Sequence, residues 1–157
     1  MLRKVFFFFL VVVIVIQFFH PSKNSSNETS KDIARSYEVP DSVQQIFKRA
    51  CNDCHSNHTE YPWYSKVQPI AWWLQDHIDE GKHHLNFNEF ANYSLKKQAH
   101  KLHELAEMIE EDEMPLSSYT LIHQDAKLSK QEKEILIRWA NELSHQINPN
   151  QQEKEEH

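Results

Sequence analysis

The chain has 157 residues and two cysteines, and its 17 Lys and Arg against 23 Asp and Glu leave a net charge of −6. That length holds one ordinary domain once a targeting segment is set aside, with no room for a second core. The acidic balance excludes nucleic acid as a partner, because its phosphates would be repelled rather than neutralised.

At the N-terminus, Arg3 and Lys4 precede an apolar run over residues 5–19 that only Gln17 interrupts. The pattern predicts a membrane segment over residues 1–20, its basic end in the cytoplasm and the rest of the chain outside. The run is somewhat short for a span of about twenty residues, and Met1, Leu2 and His20 extend it. It closes on Gln17, Phe18, Phe19, His20 and Pro21, without the small residues of a cleavage site. An uncleaved single-pass anchor in a bacterial inner membrane is therefore expected, with a cleaved and exported form as the other outcome. Residues 21–31 carry nothing apolar to bury, and a flexible linker is expected over 21–34. Beyond His20, 15 Lys and Arg face 23 Asp and Glu. Such acidity suits docking to a basic redox partner as well as plain solubility.

Residues 35–147 read as one all-α domain of about four helices with long loops, followed by a polar tail at 148–157. In the first helix Asp41 is the expected N-cap after Pro40, and Val43, Ile46, Phe47 and Ala50 recur at helical spacing up to Cys51 and Cys54. A second helix is expected over 70–80, with Trp73 and His77 four apart and Gly81, the single glycine, as its terminator. A third starts at Ser94 and carries Leu95, Ala99, Leu102, Ala106 and Ile109 on one side. The fourth opens with a capping box, Ser129 with Glu132, ahead of an apolar stripe from Ile135 to Ile147. Long loops holding Trp63, Tyr64 and Tyr119 do not suit a plain bundle, and a large apolar cofactor would supply the missing core.

Cys51, Asn52, Asp53, Cys54 and His55 spell C-x-x-C-H, the attachment sequence of a c-type haem, and use both cysteines of the chain. Two thiols one helical turn apart reach the two vinyl groups of one porphyrin, and the adjacent imidazole ligates iron from the same side. A thiol redox centre would want a βαβ setting, a zinc site would want a second Cys or His pair at finger-like spacing, absent although His58 lies close, and a disulfide would leave His55 without a task. One covalently attached haem c per chain is the expected cofactor. His55 needs an acceptor for its second ring nitrogen, sought among the carbonyls near Pro62 and Pro69.

For the opposite face, Met114 is the expected ligand, because Pro115 holds its backbone away from helix and in a loop that can fold over the porphyrin. Met108, inside the third helix, and His77, beside Trp73, are the competitors. His83, His84, His100 and His103 lie among charged residues and are expected to face solvent. Trp63, Tyr64, Trp72, Trp73 and Tyr119 are candidates to wall the porphyrin or donate to its propionates, or to form an ordinary aromatic core.

Around Cys54, His55, Ser56, Thr59, Tyr61, Pro62, Trp63, Tyr64 and Ser65, then at Trp73, residues 77–81 and 85–87, and again from Glu113 through Met114 and Pro115 to His123, the chain resembles the small bacterial haem-binding domain family related to cytochrome c. The resemblance covers residues 43–143. It implies a cytochrome c-like monohaem fold, covalent attachment through Cys51 and Cys54, His55 as proximal ligand and Met114 as distal ligand. The single glycine departs from ordinary soluble cytochromes c.

A membrane-tethered electron carrier, exchanging electrons with redox proteins through a closed six-coordinate iron, is the leading reading. The alternatives are a haem enzyme of peroxidase type or a gas or redox sensor with a displaceable distal ligand, and an accessory domain that carries haem for stability alone.

Overall fold

The structure is a computed structural model that describes residues 1–149. Most of the expected polar tail at 148–157 lies outside the described residues. Eight α-helices follow in chain order: α1 (Leu2–Ile16), α2 (Ile33–Ser36), α3 (Asp41–Ala50), α4 (Asn52–His55), α5 (Ile70–His84), α6 (Leu95–Glu110), α7 (Ser117–Ile122) and α8 (Lys130–Ile147). Short 3-10 turns lie at Trp63–Lys66, Phe87–Asn92 and Gln124–Ala126. Among the described residues there is no strand, and a single isolated bridge pairs Ser25 with His58. The all-α reading holds, and the four expected helices are α3 with α4, α5, α6 and α8.

Local chemistry sets the helix starts. Ser129 accepts from the Glu132 N–H while the Glu132 carboxylate accepts from the Ser129 N–H at 2.8 Å, which completes the capping box of α8. Ser94 caps α6 in the same way, through the Lys97 N–H at 3.3 Å. Pro40, not Asp41, flanks α3, so the Asp41 carboxylate sits inside the first turn, where the helix dipole favours it. The helix expected to run through Cys54 is broken at Cys51, whose φ of −125° lies outside the helical range, and restarts as α4. Gly81 does not end α5, which continues through it to His84.

Val43, Ile46 and Phe47 from α3, Leu102 and Ala106 from α6, and Leu136, Ala140 and Leu143 from α8 form the main core. Phe47 stacks on Phe87 at 4.2 Å and meets Trp139 edge-on at 5.4 Å. A smaller cluster of Tyr64, Leu74 and Ile78 stands beside it. Cys51 packs on the first cluster and Cys54 on the second, so the C-x-x-C-H turn joins the two.

The N-terminal third departs from expectation twice. Helix α1 has 15 residues and no buried side chain. At 1.5 Å per residue that is about 22 Å, against about 30 Å of bilayer hydrocarbon. Among the described residues no helix is long and apolar enough to cross a membrane. The apolar run is longer than the helix because the chain turns at Gln17, whose amide bonds back to the Val13 carbonyl at 2.9 Å. The segment 21–34, in turn, is laid onto the domain where a free linker was expected. The Asn24 amide donates to the Ser56 carbonyl and to Thr59 Oγ1, both at 2.9 Å, and its oxygen accepts from Lys82 Nζ at 2.6 Å. Asp32 caps α2, and Ile33 is 2% exposed in the main core. Polar residues dock this strap, which is why apolar periodicity gave no sign of it.

Asn24→Ala removes three side-chain hydrogen bonds, to the Ser56 carbonyl, Thr59 Oγ1 and Lys82 Nζ. It should lower stability by about 1–3 kcal/mol in urea denaturation and open residues 21–32 to limited proteolysis.

Candidate functional site

The break at Cys51 turns the chain so that α4 carries Cys54 and His55 against α5. This contact is close because α5 presents Gly81: a Cβ there would stand 2.7 Å from the Cys54 carbonyl oxygen and 3.1 Å from Cys54 Cβ. The glycine therefore serves helix packing and not helix termination. Just past the end of α5, the Leu85 carbonyl accepts from His55 Nδ1 at 2.9 Å. The acceptor is thus on the turn after α5, not in the loop around Pro62 and Pro69, because Gly81 brings that end of α5 against the motif. Fixing Nδ1 as the protonated nitrogen leaves Nε2 as the donor atom for a metal. Burial lowers the His55 pKa, and the Leu85 and Gly81 carbonyls oppose this. The ring is neutral at pH 7.

A cavity of about 530 Å³ opens on this turn. Cys51, Cys54 and His55 form one wall, Gly81 and Leu85 continue it, and Phe87, Leu105, Ile109, Leu116 and Leu128 make it mainly apolar. Its volume is that of a pocket for a cofactor-sized molecule. The chain has three methionines, and both internal ones, Met108 and Met114, line the cavity. His77 lines it as well, with Nδ1 held by the Trp73 carbonyl at 2.8 Å. His84, expected in solvent, is exposed yet borders the cavity. The residues thus fit a flat apolar macrocycle with a proximal imidazole and two sulfur anchors. All three candidates for the opposite ligand share its chamber.

Met114 reaches the chamber through the way α6 ends. The Glu113 N–H bonds to the Met108 carbonyl at 2.9 Å and the Asp112 N–H to the Ile109 carbonyl, with Asp112 at φ 62°. This is a Schellman stop with an aspartate in the left-handed position that glycine usually takes. It folds residues 113–116 back beside the helix that carries Met108. Lys133 of α8 pairs with Asp112.

A link that spacing alone did not reveal joins the two sides of the cavity. Asp53, between the two cysteines, accepts from the Tyr119 hydroxyl at 2.7 Å and from the Glu60 N–H at 3.0 Å. Burial and the Asp53 carboxylate both push the Tyr119 pKa up, so the phenol stays a donor. Tyr119 belongs to α7, directly after the Met114 loop, and its ring stacks on His123 at 4.3 Å. His123 Nε2 in turn lies 2.7 Å from the Tyr64 hydroxyl. Of the five aromatic residues expected to wall a porphyrin, Tyr119 alone borders the cavity, whereas Trp63, Trp72 and Trp73 are exposed.

Burial raises the Cys51 thiol to about 12, and burial with the Asp53 charge raises Cys54 to about 11. Both thiols are free and stay protonated at neutral pH, unlike an active redox thiol. Among the described residues no group of three or more His, Cys, Asp or Glu is placed to hold a metal ion.

The family model described as a haem-binding domain matches residues 11–142. No curated protein and no solved structure matches the chain.

Two outcomes follow from this geometry. An alanine in place of an ordinary helical glycine stabilises by up to about 1 kcal/mol, but Gly81→Ala should destabilise by about 1–3 kcal/mol in urea titrations and reduce haem content. The raised thiol pKa values are lost on unfolding, so the stability that the thiols contribute to the haem-free domain is fully present below the ordinary thiol value of 9.0 and is lost as pH rises from there toward about 12. Cys51→Ala with Cys54→Ala should flatten that alkaline loss in thermal melts.

Proposed function

The chain belongs to the haem-binding domain family, and on that premise we propose that it is a c-type cytochrome tethered to a membrane by α1, passing single electrons between protein partners. Support comes chiefly from one observation: His55, with Nδ1 fixed by the Leu85 carbonyl, shares a mainly apolar cavity with both cysteines and both internal methionines. Haem, when bound, supplies a one-electron iron couple.

The residues divide the remaining work. Cys51 and Cys54 would hold the haem covalently, each adding its S–H across one vinyl double bond with the hydrogen going to the other vinyl carbon. No oxidant is consumed. His55 offers Nε2 to the iron, and the Leu85 carbonyl strengthens it as a donor by holding the opposite N–H. Met114 would hold the iron through a soft, neutral thioether, which would favour the reduced metal and raise the potential relative to a second imidazole. The Asp53–Tyr119 hydrogen bond ties the attachment turn to the helix after Met114 and so positions the methionine loop. Phe87, Leu105 and Leu116 exclude water, so little solvent has to reorganise when the charge on the metal changes.

Export to the outer side of a bacterial inner membrane, where c-type attachment takes place, accords with Arg3 and Lys4 at the start of α1. A helix shorter than the hydrocarbon layer is accommodated by local thinning of the bilayer. The second reading, a sensor or peroxidase-type enzyme with a displaceable distal ligand, is favoured by His77 on the wall of the same cavity.

Made in a host that attaches c-type haem, the protein should keep its haem through denaturation, and Cys51→Ala with Cys54→Ala should abolish this on a haem-stained gel. Met114→Ala should admit carbon monoxide to the iron, erase the weak near-infrared band of methionine-bound ferric haem and lower the potential. Met108→Ala should leave all three readings nearly unchanged. The opposite result for the two methionines would transfer the ligand role to Met108.

A further inference from the structure

The exposed tryptophans find no place in the haem site. Trp63 is 78% exposed, Trp72 40% and Trp73 45%, and Val67 and Ile70 stand beside them at 42% each. All five flank Gln68, which is 3% exposed. Gln68 fastens the root of α1 to this place. Its N–H donates to the Gln17 side-chain oxygen at 2.9 Å, its carbonyl accepts from the Gln17 amide at 3.2 Å, and its own amide donates to the Phe19 carbonyl at 2.6 Å. The same Gln68 side chain accepts from the Trp72 N–H at 3.3 Å, so a single residue holds both the end of the apolar helix and the first turn of α5.

α7 joins this region through His123 Nε2, 2.7 Å from the Tyr64 hydroxyl, and Leu121 and Ile122, which precede His123 in the chain, are 74% and 59% exposed. Charge is distributed to match. Residues 61–75 hold no acidic side chain and one exposed cation, Lys66, while the acidic residues of α5 begin at Asp76 and continue with Asp79 and Glu80 toward its other end. Indoles beside aliphatic side chains, with a lysine among them and the first acid of α5 one turn on at Asp76, make the pattern that proteins present at the boundary between lipid headgroups and acyl chains.

We propose that this face lies on the bilayer surface with its indoles at headgroup depth, so that α1 and the haem domain engage one membrane as a single body. The inference rests on the tether reading above and adds to it a second, domain-borne contact. Continuity with the fully exposed apolar α1 names lipid as the occupant.

The tryptophans themselves report on it. The chain has four, none of them in α1, and Trp139 is buried in the main core at 8% exposure. The haem-loaded full chain is reconstituted into vesicles of phosphatidylethanolamine and phosphatidylglycerol, with and without bromine on the acyl chains. Tryptophan emission should be about twofold lower in the brominated vesicles, since three of the four indoles lie on the face and aromatic belts sit at that depth. Trp72→Ser with Trp73→Ser should remove most of the difference while the chain still floats with the vesicles through α1. Flotation with emission indifferent to bromine overturns the docked face and leaves the tether standing. A chain that stays behind when vesicles float overturns the tether and this inference together. Concentration-dependent self-association in detergent that the double variant abolishes, without bromine quenching, would assign the face to a second copy of the chain.

Discussion

The approach of α5 to the C-x-x-C-H turn is the contact on which the site depends. Two backbone segments meet where a methyl group would intrude to 2.7 Å from a carbonyl oxygen, and the chain places its one glycine there. Four residues later the same helix ends in the carbonyl that fixes the His55 tautomer. Helix packing and the tautomer of His55 are thus set by a single interface. Moving α5 outward by the width of a methyl group would also draw the acceptor away from the imidazole. The break in the helix at Cys51 complements this, since it aims Cys51 at one hydrophobic cluster and Cys54 at the other. The cavity opens along that junction.

Much of this was legible in the residues and some was not, for identifiable reasons. Apolar periodicity located α3, α5, α6 and α8, because each buries one stripe, and Ser94 and Ser129 marked the starts of α6 and α8 by satisfying their first N–H groups. The C-x-x-C-H spacing and the methionine before Pro115 pointed to residues that share one cavity. Gly81 was misread as a helix stop because a glycine needed for close approach looks the same in sequence as one needed for a left-handed cap. The actual stop with a left-handed residue is at Asp112, where an aspartate takes that conformation and Lys133 of α8 pairs with it. The strap of residues 21–34 was hidden because Asn24 docks through amide hydrogen bonds, which carry no periodic signature. The same blindness applied to Asp53 and Tyr119, 66 residues apart, whose hydrogen bond links the C-x-x-C-H turn to the helix after Met114.

The aromatic residues divide in a way that composition could not show. Phe47, Phe87 and Trp139 pack in the core, and Tyr119 and Tyr64 work through their hydroxyl groups close to the site. Trp63, Trp72 and Trp73 stand outside both groups. Large side chains of one type thus serve as filler, as hydrogen-bond donors and as surface, and only burial tells them apart.

The docked strap also fixes a length scale. Fourteen free residues would give the domain a root-mean-square reach of about 20 Å, enough to tumble and present any side. With Asn24, Asp32 and Ile33 held down and Gln17 seated on Gln68, that freedom is gone. Under the tether proposed above, a partner in the same lipid sheet would meet the domain by lateral diffusion in two dimensions, always at one altitude and with one edge facing it.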